Sequence, residues 1–316
     1  MNLELTEALY TKLATLAPVA DADSFVYRCG FAADAQLKKE YKENNPEATK
    51  EELAAYLLTQ DYKHIALYNV KQQMKVIAGM FDENRLRTLL TGKGNYRENV
   101  ASIQQYKGNR DSTHKPRYYQ EIRDYLCEVW DAEIVEGMEA DDKAGIIQWS
   151  HKDKSTIICS IDKDLFCIPG WHYNPNKGTV SYVTKTEADL HFWKQVGTGD
   201  ATDHIPGLKG VGPKTVEKWA AQADNNPHLL EERVRQEYAA RFGDRAQAVL
   251  HENASLLWIQ RVEGINYDGS KLSDYQYAEY EYGNEESNNG NEATEDCVEG
   301  QHPVGSEQAR LADVEG

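Results

Sequence analysis

Apolar residues recur at helical spacing near the start of the chain, at Leu3, Leu9, Leu13 and Leu16. They predict a short amphipathic helix ending before Pro18. Val19-Ala20 then runs into Asp21-Ala22-Asp23, which marks the end of a first strand, with Asp23 placed to cap a helix from about Ser24. A better-marked helix begins at Thr49, where Thr49 and Glu52 fit a capping box and Leu53, Tyr56 and Leu57 share a face. Leu67, Val70, Met74, Ile77 and Phe81 continue the helical period. Residues 86–91 read as a strand broken by Gly92-Lys93-Gly94, and another helix is expected from about Pro116. A helical run over 143–149 and an apolar strand over 156–161 follow. Pro213 suits the first position of a helix. Helical spacing then persists through Val216, Trp219, Leu229, Val234, Tyr238, Phe242, Val249, Leu256 and Ile259. Beyond about residue 282 the chain is polar and acidic without periodicity, which predicts a disordered tail.

The 316 residues can hold one large α/β domain and a smaller one. A formal charge of −17 argues against a nucleic-acid partner unless the charge is unevenly placed. It is uneven. Between residues 85 and 117, Arg85, Arg87, Lys93, Arg97, Lys107, Arg110, Lys115 and Arg117 outnumber the acids, with Tyr96, Tyr106, Tyr118 and Tyr119 interleaved. Such a stretch can neutralise phosphates and stack on unpaired bases; an ordinary solvated loop is the plainer alternative. Cys29, Cys127, Cys159, Cys167 and Cys297 form no C-x-x-C pair and fit reduced thiols of an intracellular protein. The first twenty residues lack the basic start and apolar run of a signal peptide, and no apolar run approaches a membrane span. A soluble, cytoplasmic protein with no membrane partner is therefore expected.

The candidate chemistry lies in two places. Glu139, Asp141 and Asp142 open a helix, and Asp162 and Asp164 follow a strand. At the carboxyl end of a parallel sheet these side chains would face the ligand crevice. Acids in a first turn also suit the helix dipole, but five together are not explained that way. Two carboxylates about 4 Å apart repel by roughly 4 kcal/mol at an effective dielectric near 20. A convergent set without His or Cys suits a hard cation such as Mg²⁺ or Mn²⁺. The second place is the glycine-rich turn over 199–215, where Lys209, Gly210, Gly212, Lys214 and Thr215 offer backbone amides and positive charge to a phosphate. Asp200 and Asp203 precede it, which an anion site alone does not explain.

Taken together these segments resemble the flap endonuclease / 5′-nuclease superfamily, and within it the short 5′-to-3′ exonucleases of tailed phages. Glu139-Ala140-Asp141-Asp142 looks like the family's E-A-D-D motif, and Ser160-Ile161-Asp162-Lys163-Asp164 like its strand-end aspartate pair. Residues 199–215 look like its helix–hairpin–helix, with His204 where Asn is usual, and Tyr106-Lys107-Gly108-Asn109-Arg110 like its basic arch motif. Arg28 stands seven residues after Asp21, as the family's arginine does after its first metal aspartate. Two departures stand out: the family's aspartate after the second strand is missing beside Gly92, and Asp-Gly is replaced by Asp21-Ala22-Asp23.

The resemblance covers roughly residues 19–265 and implies an α/β, PIN-like nuclease domain, a mostly parallel sheet flanked by helices, over 1–193. It implies a basic arch near 92–117, a helix–hairpin–helix DNA-binding region over 194–266 and an acidic tail over 267–316. The implied activity is Mg²⁺- or Mn²⁺-dependent hydrolysis of DNA, or of RNA in an RNA·DNA duplex, at a free 5′ end or flap, in phage replication, primer removal or recombination. Two ions are implied. Asp21, Glu139, Asp141 and Asp142 would hold one, with Asp162 and Asp164 between the sites and Asp200 and Asp203 serving the second. Arg28, Lys107 and Arg110 would act on the scissile phosphate. Arg97, Tyr106, Lys107, Arg110, Lys209, Gly210, Gly212, Lys214 and Thr215 would contact DNA. A K⁺ ion is implied at the hairpin, and the tail could meet a basic protein. The alternatives are a catalytically silent DNA-binding protein of the same fold and a haloacid-dehalogenase-type phosphatase built on Asp162-x-Asp164, which would leave the glycine hairpin unexplained.

Overall fold

The first strand, β1 (Ala17–Asp21), is buried along its whole length, as a strand covered by helices on both faces must be. The structure, a computed structural model, describes residues 7–109, 115–151 and 153–269, all within one unit, Met1–Tyr280. Helix α1 (Glu7–Leu13) leads into β1; α2 (Asp23–Asn44), α3 (Lys50–Thr59) and α4 (Lys63–Met80) precede β2 (Arg87–Thr91). Then come α5 (Arg97–Val100), α6 (Tyr119–Trp130), β3 (Glu133–Val135), α7 (Ala140–Ser150) and β4 (Thr156–Cys159). Strands β5 (Gly170–Asn174) and β6 (Thr179–Val183) pair antiparallel, and α8 (Lys185–Thr198), α9 (Pro213–Gln222), α10 (Pro227–Phe242) and α11 (Ala246–Leu257) follow.

The sheet order is β3-β2-β1-β4-β5-β6, with every neighbour parallel except the last pair. From β1 the chain builds outward through β2 and β3, then returns to lay β4 on the other side. The order therefore reverses between β1 and β4, and the crevice outside their carboxyl ends is where such sheets bind ligands. Alternate residues feed two cores, as the pleat requires. Val19, Leu89 and Ile158 join one with α7, α8 and the C-terminal helices. Ala20, Leu90, Ile157 and Cys159 join the other with α2, α4 and α6.

The α/β class and the mostly parallel sheet are as expected, and so is the Thr49–Glu52 capping box, complete in both directions. The N-terminal helix ends at Leu13, before the Leu16 its spacing predicts, and Leu3 lies outside the described residues. Pro18 lies inside β1 rather than after a helix, and Leu16 is buried ahead of the strand. Helix α2 extends to Asn44, because Phe25, Val26, Cys29, Ala33 and Leu37 keep one buried face under a charged exterior. The reading of Asp23 as a cap is corrected: Ala22 is the cap residue, without a side-chain bond, and Asp23 is the first helical residue. Helix α8 runs through position 193, and Trp193 and Val216 share one core. The expected tail lies outside the described residues from 270 on. Cys29, Cys127, Cys159 and Cys167 are free thiols, and Cys297 lies outside the described residues. Among the described residues no helix is long and apolar enough to cross a membrane.

Candidate active site

Four separated stretches bring carboxylates to the crevice. Strand β1 ends on Asp21, whose Oδ2 accepts the Ser160 hydroxyl at 2.8 Å from just beyond β4. That same oxygen of Ser160 accepts the Asp162 amide at 2.9 Å, and Asp162 Oδ1 accepts the Asp164 amide at 2.9 Å. The turn after β4 is thus folded around its own acidic side chains. From α8, Gln195 Nε2 donates to Asp164 Oδ1 at 2.7 Å. Glu139 caps α7, and Asp141 lies in its first turn. Asp200 and Asp203 come from the turn after α8, where Asp200 and Ile205 exchange backbone hydrogen bonds of 2.9 and 2.7 Å. Gly199 and Gly207 cross there with φ of 71° and 53°. A β-carbon on Gly199 would strike the Ile205 carbonyl, so only glycine closes this turn.

These residues line one cavity of about 430 Å³. Asp21, Glu139, Asp141, Asp162, Asp164, Asp200 and Asp203 all reach it, joined by Asp23, Thr91, Lys107 and Lys163. Burial pushes Asp21 up to about 7, with Asp23 adding to it, and pushes Asp164 up to about 8, with Asp162 adding to it. Asp141 is raised by burial and then by Asp21; Asp162 is raised by burial. Burial also pushes Glu139 upward, but Lys107 and Arg97 more than offset it, and its carboxyl lies below the usual range. Lys107 Nζ is ion-paired to Glu139 and stands 3.7 Å from Asp203. Its φ of 53° is held by its amide on the Asp203 carbonyl at 2.9 Å. His204, at φ 61°, sits opposite with Nδ1 3.1 Å from the Gln105 carbonyl. A left-handed backbone suits Asn and His better than most residues, so His204 is tolerated there.

Several expected site residues lie elsewhere. Asp142 is fully buried and turned from the cavity; it grips the Arg97 guanidinium through bonds of 2.6 and 2.9 Å. Asp142 as a metal ligand and Arg97 as a DNA contact are both corrected by that pair, which consumes each charge with the other. Tyr106 is also buried, its hydroxyl bonded to Asp203 at 2.9 Å and Glu139 at 3.1 Å. It offers no free face to a base. Arg28 donates to Gln73 Oε1 at 2.6 Å and, without lining the carboxylate cavity itself, lines an adjoining open groove with Tyr27, Phe31, Asp162 and Lys163. Arg110 lies outside the described residues. Arg85 is paired with Asp82, Arg87 with Glu133, and Arg117 with the Leu57 and Leu58 carbonyls, so much of the basic stretch is satisfied internally.

The vacancy expected at Gly92 also has a physical reason. A β-carbon there would lie 2.7 Å from the Val135 carbonyl and from the Glu136 carboxyl. Thr91 ends β2 instead, with its hydroxyl taking the Ala140 amide at 2.9 Å. Asp23 reaches across to the Thr91 amide at 2.7 Å and to Arg123 at 2.9 Å. In the hairpin Lys209, Gly210 and Lys214 are exposed, Gly212 caps α9 and Pro213 opens it. Buried Leu208, Val211 and Val216 anchor the loop beneath. Ser160 and Gln195 hold two of the acids and were not singled out in sequence; only the place of Ser160 within its motif hinted at it.

The donor set is all oxygen, and burial holds Asp21, Asp141, Asp162 and Asp164 above the usual carboxylate range, which fits a hard divalent cation. As placed, no three His, Cys, Asp or Glu side chains among the described residues are arranged to hold an ion; the acids ring the cavity. No family model matches the chain. Over 183 residues it is 30% identical to DNA polymerase I of Bacillus subtilis (strain 168), a match covering 50% of this chain and 20% of that protein. The chain spans about a fifth of that relative's length. Solved structures similar to it include a bacteriophage T5 protein co-crystallised with metal ions, at 14% identity, 76% coverage of this chain, 98% of that one and a TM-score of 0.41. They also include a T5 flap endonuclease complex with DNA and metal ions, at 14% identity, 76% and 98% coverage and a TM-score of 0.42. A T5 5′-exonuclease with divalent zinc ions gives 14%, 76% and 99%, and a TM-score of 0.41.

Proposed function

We propose that this chain is a divalent-metal-dependent 5′-nuclease that hydrolyses phosphodiester bonds of DNA near a free 5′ end or flap. The observation that carries this reading is the convergence of Asp21, Glu139, Asp141, Asp162, Asp164, Asp200 and Asp203 on one cavity at the switch point of the sheet. The similarity to DNA polymerase I supports DNA as the substrate. Asp21, Glu139 and Asp141 would hold one Mg²⁺ or Mn²⁺ ion, Asp200 and Asp203 would serve a second, and Asp162 and Asp164 would lie between them. Ions bound there would supply Lewis acidity at the scissile phosphate. Lys107 brings positive charge to the same cavity and offsets the charge building on that phosphate. Ser160 and Gln195 keep Asp21 and Asp164 aimed inward. Residues 1–193, completed by Gln195, Asp200 and Asp203 from α8 and the turn after it, would carry this chemistry, and 194–266 would also grip the duplex backbone through the exposed Lys209, Gly210 and Lys214 without reading sequence. A K⁺ ion at that hairpin belongs to the same reading.

A 5′-labelled duplex incubated with Mg²⁺, with and without chelator, tests the proposal beside a generic phosphate monoester. Metal-dependent release of labelled nucleotides is expected, with the monoester untouched. Cleavage of the monoester alone would replace the reading by a phosphatase. Duplex binding with no cleavage of either substrate would replace it by a silent DNA-binding protein.

A further inference from the structure

Arg97 and Asp142 are among the most deeply buried charges in the molecule, at 2% and 0% exposure. Taking an ion pair out of water is costly unless its hydrogen bonds are satisfied. Here they are. Asp142 Oδ2 accepts Arg97 Nη1 at 2.6 Å and the Glu139 amide at 3.1 Å; Oδ1 accepts Arg97 Nη2 and the Gln260 amide, each at 2.9 Å. A carboxylate has about four acceptor sites, and all are taken, so Asp142 has none left for a cation. On the other side Arg97 Nε donates to the Leu256 carbonyl at 3.0 Å and Nη2 to the Trp258 carbonyl at 2.6 Å. Those carbonyls belong to the end of α11, where backbone acceptors lack helical partners. Arg97 Nη1 is also 3.7 Å from Glu139 Oε2.

We infer that Arg97 and Asp142 are positioning residues: their pair pins the first turn of α7 to the segment 256–260, so that Glu139 and Asp141 face the cavity. The inference rests on the metal reading above. Glu139 caps that turn and Asp141 precedes Asp142 in it. A small rotation of the turn would move both ligands together, whereas a pair serving only the core could be replaced by apolar side chains.

Calorimetric titration of the metal-free full-length chain with Mn²⁺, without DNA, decides the matter. The double variant Arg97→Met/Asp142→Leu replaces the pair with apolar groups, an exchange that is often neutral or stabilising. It is expected to melt near wild type yet to bind Mn²⁺ about tenfold more weakly or worse, as loss of ligand-orienting contacts does. Wild-type affinity in that variant would overturn the inference. Arg97→Lys, which keeps the charge and loses the fork, decides it independently should the double variant not fold. Weaker binding is expected, and unchanged or tighter binding would overturn the inference, tighter binding marking Asp142 as a ligand restrained by Arg97. No Mn²⁺ binding by the wild-type chain would overturn the metal reading and this inference with it.

Discussion

Asp141 and Asp142 are neighbours in sequence and opposites in duty. About 100° of helical rotation separates them, so one faces the cavity and the other the core. An acidic motif tells which residues are present but not which way each turns, and here the deciding partner, Arg97, lies 45 residues away. Asp162, by contrast, is placed in the cavity by its own turn. Asp162→Asn is expected to abolish cleavage while duplex binding survives or tightens, since metal affinity falls and repulsion of DNA is relieved. Cleavage within tenfold of wild type would remove Asp162 from the reaction. His172 gives a second expectation, on stability. Its buried Nε2 donates to the Ile168 carbonyl at 2.8 Å, and burial pushes its pKa down to about 4. The unfolded chain, near 6.5, binds the proton more readily. His172 therefore contributes stability above pH 6.5 that is lost as pH falls toward 4, roughly 3 kcal/mol at about 1.36 per unit. In melts over that range His172→Gln should flatten the acid limb; an unaltered limb would assign it to other groups.

Elements were legible where periodicity and a start signal agree, as in α3 and α9, or where periodicity alone is long, as in α4. They were hidden where neither is strong. Strand β3 has three residues with only Val135 buried, and it holds its place through parallel pairing with β2. The charged second half of α2 masks a buried stripe. The basic stretch shows the opposite error, because a charge count cannot see that the acids pairing with Arg87 and Lys107 come from β3 and the start of α7. The exposed hairpin lysines are different. Lys214→Ala, in the first turn of α9, should weaken duplex binding alike for every sequence and reduce the salt slope by about 1. Filter binding across a salt series measures this. Lys107→Ala should slow turnover more than it weakens binding; loss of affinity alone in both variants would refute the role given to Lys107.

For the whole molecule, the sheet order explains why residues as distant as Asp21 and Asp203 share a cavity. The fold class could be read from alternating helices and strands; the switch point could not, since it depends on which side of β1 the fourth strand is laid. The shared cavity also sets a global pH response. Asp21 and Asp164 carry folded pKa values of about 7 and 8 against 3.8. Between 3.8 and those values the two carboxyls bind more protons folded than unfolded; below about 6.5 His172 opposes them, and above it metal-free stability should fall as pH rises to about 8. In chelator the melting temperature should decline over that window, and millimolar Mg²⁺ should flatten the decline. A slope indifferent to Mg²⁺ would place the response outside the cavity.

The tie between Arg97 and the end of α11 also has a meaning in time. Chains emerge from the ribosome at about 5–20 residues per second, and every carboxylate of the cavity has been made once Asp203 is out. The guanidinium that steadies Glu139 still waits for the Leu256 and Trp258 carbonyls, and Asp142 for the Gln260 amide. For a few seconds the nascent chain carries all its acids without the brace that sets two of them. A site so arranged is incomplete at birth, and a polypeptide cut short before Gln260 has the acids of the cavity without their alignment.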